Sequence, residues 1–253
     1  MNYFLYGPPL TGKSTLGQSL ASNLHIPFID LDTVIEDKAK QSIAEIFSVE
    51  GEVGFRQREM RAIEEVVQSF SQVIALGGGA LLNPAARAVV EKSGKVLCLG
   101  ANLETLITRT NSESAIRPLL AGDHFERLKN LLLARKEHYL SFPLQLETDS
   151  GSVSDLTWQA QIRIGAFRVG GMGQSYDIRI DSGGLSCIGS YCQERKLNGT
   201  MVVVTDDHVG LLHGDTVLKG LRDGGYEAVL FSIPPGEENK NIQTILKIWD
   251  AFI

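Results

Sequence analysis

Nine residues near the amino terminus carry the clearest chemistry in the chain: Gly7-Pro8-Pro9-Leu10-Thr11-Gly12-Lys13-Ser14-Thr15. The spacing G-x-x-x-x-G-K-S lets the backbone wrap a polyphosphate, so that successive N–H groups and the positive end of a following helix point at it. Lys13 then supplies a point charge, and the Ser14 hydroxyl a ligand for Mg²⁺. A chance glycine-rich turn would lack the flanks. Here the apolar run Tyr3-Phe4-Leu5-Tyr6 precedes the loop and an amphipathic segment follows it.

Further polar residues stand where they could join this loop. Asp30 could hold Mg²⁺ through water, and Asp32 could accept hydrogen bonds from a substrate hydroxyl; Asp32 could equally cap a helix over Thr33-Val34-Ile35-Glu36. Gly77-Gly78-Gly79 would let a backbone approach a ligand closely, or form only a tight turn. Four arginines, Arg56, Arg109, Arg117 and Arg135, complete the set. A lone arginine is ordinarily a solvated surface group. Arg117 differs, because Asn111 to Asp123 has the length and polarity of a lid over a nucleotide.

The elements that must position these residues alternate strand and helix. Strands are expected at Tyr3–Tyr6, Pro27–Asp30, Gln72–Leu76, Lys95–Leu99 and Leu144–Glu147. Helices are expected at Ser42–Phe47, from Glu52 to about Phe70, from Pro84 to Lys92, from Leu103 to Arg109 and from Asp123 to Tyr139. Uninterrupted apolar strands between helices imply an α/β fold with a parallel sheet covered on both faces. Ligands gather at the carboxyl ends of such strands, which is where the loop, the two aspartates and the glycine run fall.

Composition bounds the partners. The chain has 253 residues, 43% of them hydrophobic, and a net charge of −6. This balance argues against non-specific nucleic-acid binding, which needs a basic footprint. No apolar run approaches a membrane span of about 20 residues, and no signal peptide is expected. Cys98, Cys187 and Cys192 are an odd number without zinc-ligand spacing, as suits a reducing cytoplasm.

As a set, several stretches resemble shikimate kinase. They are Gly7 to Thr15, Phe28 to Glu36, Ser42 to Phe47, Glu50-Gly51-Glu52 with Phe55-Arg56, Leu76 to Ala80, and Arg117-Pro118-Leu119-Leu120-Ala121-Gly122. The resemblance covers residues 2 to 165 and implies a P-loop kinase: a three-layer parallel sheet, a lid, and ATP-dependent phosphorylation of shikimate to shikimate 3-phosphate. It implies that Leu10 to Thr15 hold ATP, that Ser14 and Asp30 serve Mg²⁺, and that Asp32, Arg56, Gly78, Gly79 and Arg135 hold shikimate. Lys13, Asp32 and Arg117 would act in catalysis, with Arg117 reaching the ATP phosphates and Arg109 lying beside adenine. The family often has a proline near the base where Ser150-Gly151-Ser152-Val153-Ser154 stands here. The kinase part is expected to act as a monomer.

Residues 166–175 are glycine-rich and read as a linker. A second unit over 176–253 follows, with strands at Tyr176–Ile180, Met201–Thr205 and Ala228–Ile233 and a helix from Gly214 to Asp223. Val204-Thr205-Asp206-Asp207 and Pro234-Pro235-Gly236-Glu237-Glu238-Asn239-Lys240 resemble the N-terminal, NAD-binding part of 3-dehydroquinate synthase. That resemblance implies NAD contacts from Asp206, Glu237 and Lys240. The family's metal and substrate residues are not among these 253, and His208 stands where the family has Asn. The unit is therefore expected to be incomplete, without synthase activity of its own.

Two classes of function stand side by side. One is a small-molecule kinase with shikimate as acceptor and gluconate or a nucleotide as competitors; Asp32, Arg56 and Arg135 suit a carboxylate bearing hydroxyls. The other is a non-catalytic nucleotide-binding module, against which Lys13, Asp30, Asp32 and Arg117 argue.

Overall fold

The strand that leads into the phosphate loop, β1 (Asn2–Tyr6), is buried along its whole length. In the computed structural model, which describes residues 1–112, 124–170 and 175–250, it lies at the centre of a five-stranded sheet. Arg117 and most of the expected lid lie outside the described residues. β1 pairs in parallel with β3 (Val73–Ala75) on one side and β4 (Gly94–Gly100) on the other. β2 (Phe28–Asp30) extends the sheet beyond β3 and β5 (Leu144–Glu147) beyond β4, all parallel.

Side chains alternate across a strand, so β1 feeds two cores. Phe4 and Tyr6 point to one face and pack with Leu31, Ile35, Ile46, Ile63, Val90 and Phe142. Tyr3 and Leu5 point to the other, against Leu16, Leu20, Leu24, Leu156, Ala160 and Ile164. The result is a three-layer α/β domain. α2 (Leu31–Ala39), α3 (Ile43–Val66), α4 (Pro84–Ser93) and the end of α6 (His124–Leu140) supply the first face; α1 (Lys13–Leu24) and α7 (Val153–Ile164) supply the second. α5 (Leu103–Ser112) follows β4. The two helices expected at 42–47 and from Glu52 form one element that breaks at Gly51, where φ is 67° and ψ −173°.

Further elements of the first unit differ from expectation. No element was expected over 153–164, yet α7 forms there, started by a capping box between Ser152 and Asp155. Residues 166–175, read as a linker, begin with β6 (Ala166–Val169), which pairs antiparallel with β7 (Tyr176–Arg179). That strand was assigned to the second unit, but the first compact unit runs from Met1 to Arg179. Pairing with a neighbour overrides the weak local signal of a glycine-rich stretch.

The second unit, Ile180–Ile253, is smaller. It contains α8 (Ile188–Glu194), β8 (Met201–Asp206), α9 (Asp207–Asp223), β9 (Ala228–Ile233) and α10 (Ile242–Asp250). β8 and β9 pair in parallel, and Val217, Leu221 and Ala228 form its small core. α9 starts at Asp207 rather than Gly214, because the Asp206 side chain accepts a hydrogen bond from Val209 N at 2.8 Å and caps the helix.

Candidate active site

The phosphate loop turns directly from β1 into α1. Gly7 has φ 130°, and a Cβ there would run into the Leu99 carbonyl of β4, so the loop lies flat on the neighbouring strand. Gly12, the N-cap of α1, has φ 81° and no capping side chain, which leaves the first N–H groups of the helix to a ligand. Thr11 steadies the turn by donating to Pro8 O at 2.9 Å.

Lys13 is only 8% exposed and donates from Nζ to Gly7 O at 3.0 Å and Pro8 O at 2.7 Å. An ammonium held across the loop this way is in place to meet phosphate oxygens. Thr15 follows in the first turn, exposed.

Ser14 Oγ donates to Asp30 Oδ2 at 2.6 Å, so the hydroxyl at the mouth of the loop and the carboxylate ending β2 converge. Two hard oxygen donors beside a phosphate site fit Mg²⁺, which takes few protein ligands and keeps water and phosphate in the rest of its shell. Asp30 has a second duty. Its Oδ1 accepts from Asp32 N at 3.1 Å and caps α2, so the cap suggested for Asp32 belongs to Asp30.

The glycine run after β3 lies against the same mouth. A Cβ on Gly77 would sit 2.9 Å from Glu59 Oε1 and 3.3 Å from Asp32 Oδ1; one on Gly79 would sit 2.6 Å from Arg56 Nη2. Absent side chains thus leave room for two carboxylates and a guanidinium. Arg56 Nη1 donates to Glu59 Oε2 at 2.6 Å, and Nη2 to Glu52 Oε1 at 3.3 Å. Glu59 is 3% exposed; burial raises its pKa from the ordinary value, and the Arg56 guanidinium works against that rise.

From the far side, α6 reaches Gly78. Gly78 O accepts from Arg135 Nη1 at 3.1 Å, from Tyr139 Oη at 2.7 Å and, at the longer distance of 3.4 Å, from Tyr6 Oη. Burial raises the pKa of both phenols, which stay neutral donors. Beneath the loop, Cys98 is buried and its thiol is pushed up to about 12, so it stays an inert packing residue.

Arg109 lies on the loop's outer rim. Its Nη1 donates to Leu10 O at 3.0 Å and Thr148 Oγ1 at 3.2 Å, and its Nη2 to Thr148 O.

The sequence reading missed Glu59, Tyr139 and Thr148. Glu59 lies one turn after Arg56 and Tyr139 one turn after Arg135, a spacing that places each pair on one helix face. Nothing in the sequence around Thr148 marks it.

In the second unit, Asp206, Glu237 and Lys240 gather past the carboxyl ends of β8 and β9. Lys240 Nζ donates to Glu237 Oε1 at 2.6 Å. Its pKa is raised, first by that bond and also by the more distant charge of Asp206.

A phosphate loop, a hydroxyl–carboxylate pair and a carboxylate–arginine cluster thus share the carboxyl edge of one parallel sheet. The family model for shikimate kinase matches residues 10–161. The chain belongs to the shikimate kinase family. It is a phosphotransferase, and the kinase is 40% identical over 158 residues to shikimate kinases of Francisella tularensis, covering 61% of this chain and 89% of the relative. A Legionella pneumophila shikimate kinase is also 40% identical, over 154 residues. Among solved structures, shikimate kinase from Acinetobacter baumannii in complex with shikimate aligns with TM-score 0.60 and 35% identity, over 64% of this chain and 91% of that one. The enzyme from Aquifex aeolicus aligns with TM-score 0.57 and 28% identity, over 64% of this chain and 95% of that one.

Proposed function

We propose that the first unit phosphorylates shikimate with ATP through the residues gathered at the sheet edge. The observation that carries this reading is the cluster of Asp32, Arg56, Glu59 and Arg135 around Gly77-Gly78-Gly79, beside a phosphate loop. Phosphoryl transfer asks the protein chiefly for positioning and charge stabilisation. Leu10 to Thr15 bind the ATP phosphates by backbone N–H groups, with Lys13 Nζ on the β- and γ-phosphates. Ser14 and Asp30 would hold Mg²⁺, whose charge offsets that of the triphosphate when bound.

Arg56 and Arg135 hold the shikimate carboxylate and the Gly78 and Gly79 backbone lines its pocket. Asp32 accepts a hydrogen bond from the acceptor hydroxyl and takes its proton as the phosphoryl group moves. Arg109 lies beside the adenine, and Arg117, outside the described residues, reaches the ATP phosphates. Gluconate and nucleotides suit this cluster less well, since neither pairs a single carboxylate with a hydroxylated ring. We also read the kinase as a cytoplasmic monomer; no helix among the described residues is long and apolar enough to cross a membrane.

The second unit is read as the N-terminal part of a 3-dehydroquinate synthase-like domain, with Asp206, Glu237 and Lys240 as dinucleotide contacts. The strand–helix–strand order of β8, α9 and β9, with the three residues at its carboxyl edge, supports this reading.

A coupled assay of ADP release tests the kinase reading. ADP should appear with shikimate and not without it, nor with gluconate in its place. Equal ADP release with and without shikimate would overturn it.

A further inference from the structure

The residue just past β5 is one against which the phosphate loop is fastened. Thr148 is 2% exposed and its backbone N–H donates to Gly100 O at 2.8 Å. Its Oγ1 lies 3.1 Å from Thr11 O and 3.0 Å from Gly100 O, and accepts from Arg109 Nη1 at 3.2 Å. A hydroxyl has one proton to give, shared here between two carbonyls, and lone pairs to accept the guanidinium N–H. Arg109 in turn donates to Leu10 O at 3.0 Å and to the Thr148 carbonyl.

Two successive loop carbonyls, those of Leu10 and Thr11, are therefore tied to one bridge. A trans peptide is planar, so its N–H points opposite to its C=O. Holding the Leu10 and Thr11 carbonyls toward Thr148 and Arg109 turns the N–H groups of Thr11 and Gly12 away from that bridge. The same fastening accounts for Leu10, whose φ of 65° lies in the left-handed region that leucine rarely adopts unless surrounding contacts impose it.

We propose that Thr148 is a positioning residue for nucleotide binding: through its hydroxyl and Arg109 it presets the peptide planes of the phosphate loop before ATP arrives. This rests on the reading of the loop as the ATP site. Preset donors bind more tightly because less ordering remains to be done at association.

The test is isothermal titration of ADP and of shikimate into the full chain and its variants. Thr148→Val keeps the shape and removes the hydroxyl; its Kd for ADP should rise about 10-fold, the scale of losing a hydrogen bond to a charged group. The Kd for shikimate should not change, Thr148→Ser should restore ADP affinity, and in an Arg109→Ala background the valine should cost much less. Should the valine variant fail to fold, Thr148→Ala against Thr148→Ser reads the same contrast. Wild-type ADP affinity in the valine variant, a serine variant as weak as the valine, or parallel weakening of both ligands would overturn the proposal. A wild-type chain that binds no ADP would instead overturn the nucleotide-site reading beneath it.

Discussion

Arg56 Nη1 and Glu59 Oε2 are 2.6 Å apart, yet the other carboxylate oxygen, Oε1, is buried without a hydrogen-bond partner among the described residues. Glu59 is thus paired directly with Arg56, with the charge of Arg135 acting on it from further off. Its pKa is raised, by burial first, and the arginine offsets only part of that. A carboxyl whose folded pKa exceeds its unfolded value contributes stability below the unfolded value, and loses that contribution as pH rises through the folded one. Melting temperatures of Glu59→Gln and wild type should therefore diverge in the variant's favour as pH rises from about 4.3, the unfolded value. A gap that closes with rising pH would show that the Arg56 pairing outweighs burial.

Arg56→Ala should weaken shikimate binding by about 2–5 kcal/mol, the range for truncating one partner of a buried charge pair, and leave ADP binding unaltered. It also strips Glu59 of its counter-charge, so the melting temperature should fall. Arg56→Lys keeps the charge without the two-pronged geometry and should recover stability more than affinity. Titration calorimetry alongside thermal melts separates the two; unaltered shikimate affinity would take Arg56 out of the site.

Because Asp30 rather than Asp32 caps α2, Asp32→Asn should leave the helix and nucleotide binding intact. Its kcat should drop roughly 10²-fold or more through loss of the proton acceptor. Near-normal turnover in a steady-state assay would mean that positioning and charge suffice for this transfer.

Tyr139→Phe removes a 2.7 Å donor from Gly78 O and leaves Arg135 as the nearer of the remaining ones. The glycine backbone should hold shikimate less firmly, with KM for shikimate raised about 3- to 10-fold, the scale of one net hydrogen bond. KM for ATP should stay put. An unmoved shikimate KM would leave Tyr139 a packing residue only.

Deletion of residues 180–253 should preserve phosphotransfer, since the five-stranded sheet and both its cores are complete within the first unit. The full chain should bind NAD more weakly than about 1 mM, because two short segments leave most of a dinucleotide in water. Micromolar NAD affinity by calorimetry would show that these segments suffice for a dinucleotide site, and loss of turnover on deletion would show the two units to be interdependent.

What could be read from the sequence was whatever local spacing encodes. Lys13 and Ser14 are fixed relative to one another by the loop itself, and Asp30 ends a short strand whose sequence marks it. Asp206 shows the limit: the sequence offered it as a ligand contact, and the structure adds that it starts α9 seven residues earlier than expected. Thr148 was invisible because its partners Thr11, Gly100 and Arg109 come from three other parts of the chain, and only the completed sheet brings them together. β6 was hidden for the same reason, its pairing with β7 being a tertiary event across a run of glycines. The Ser152–Asp155 capping box, by contrast, was written in the sequence and passed over, since the residues around it read as a loop.

β1 lies between β3 and β4: Tyr3 pairs with Val73 on one side and Lys95 on the other. During synthesis β1 leaves the ribosome before β3 and β4, and at about 5–20 residues per second it waits several seconds for the strands that will flank it. Until residue 100 has emerged, no nucleotide can rescue a wavering chain, because the loop has nothing to lie on. β1 is therefore a strand that a chaperone must shield until its two neighbours have been made.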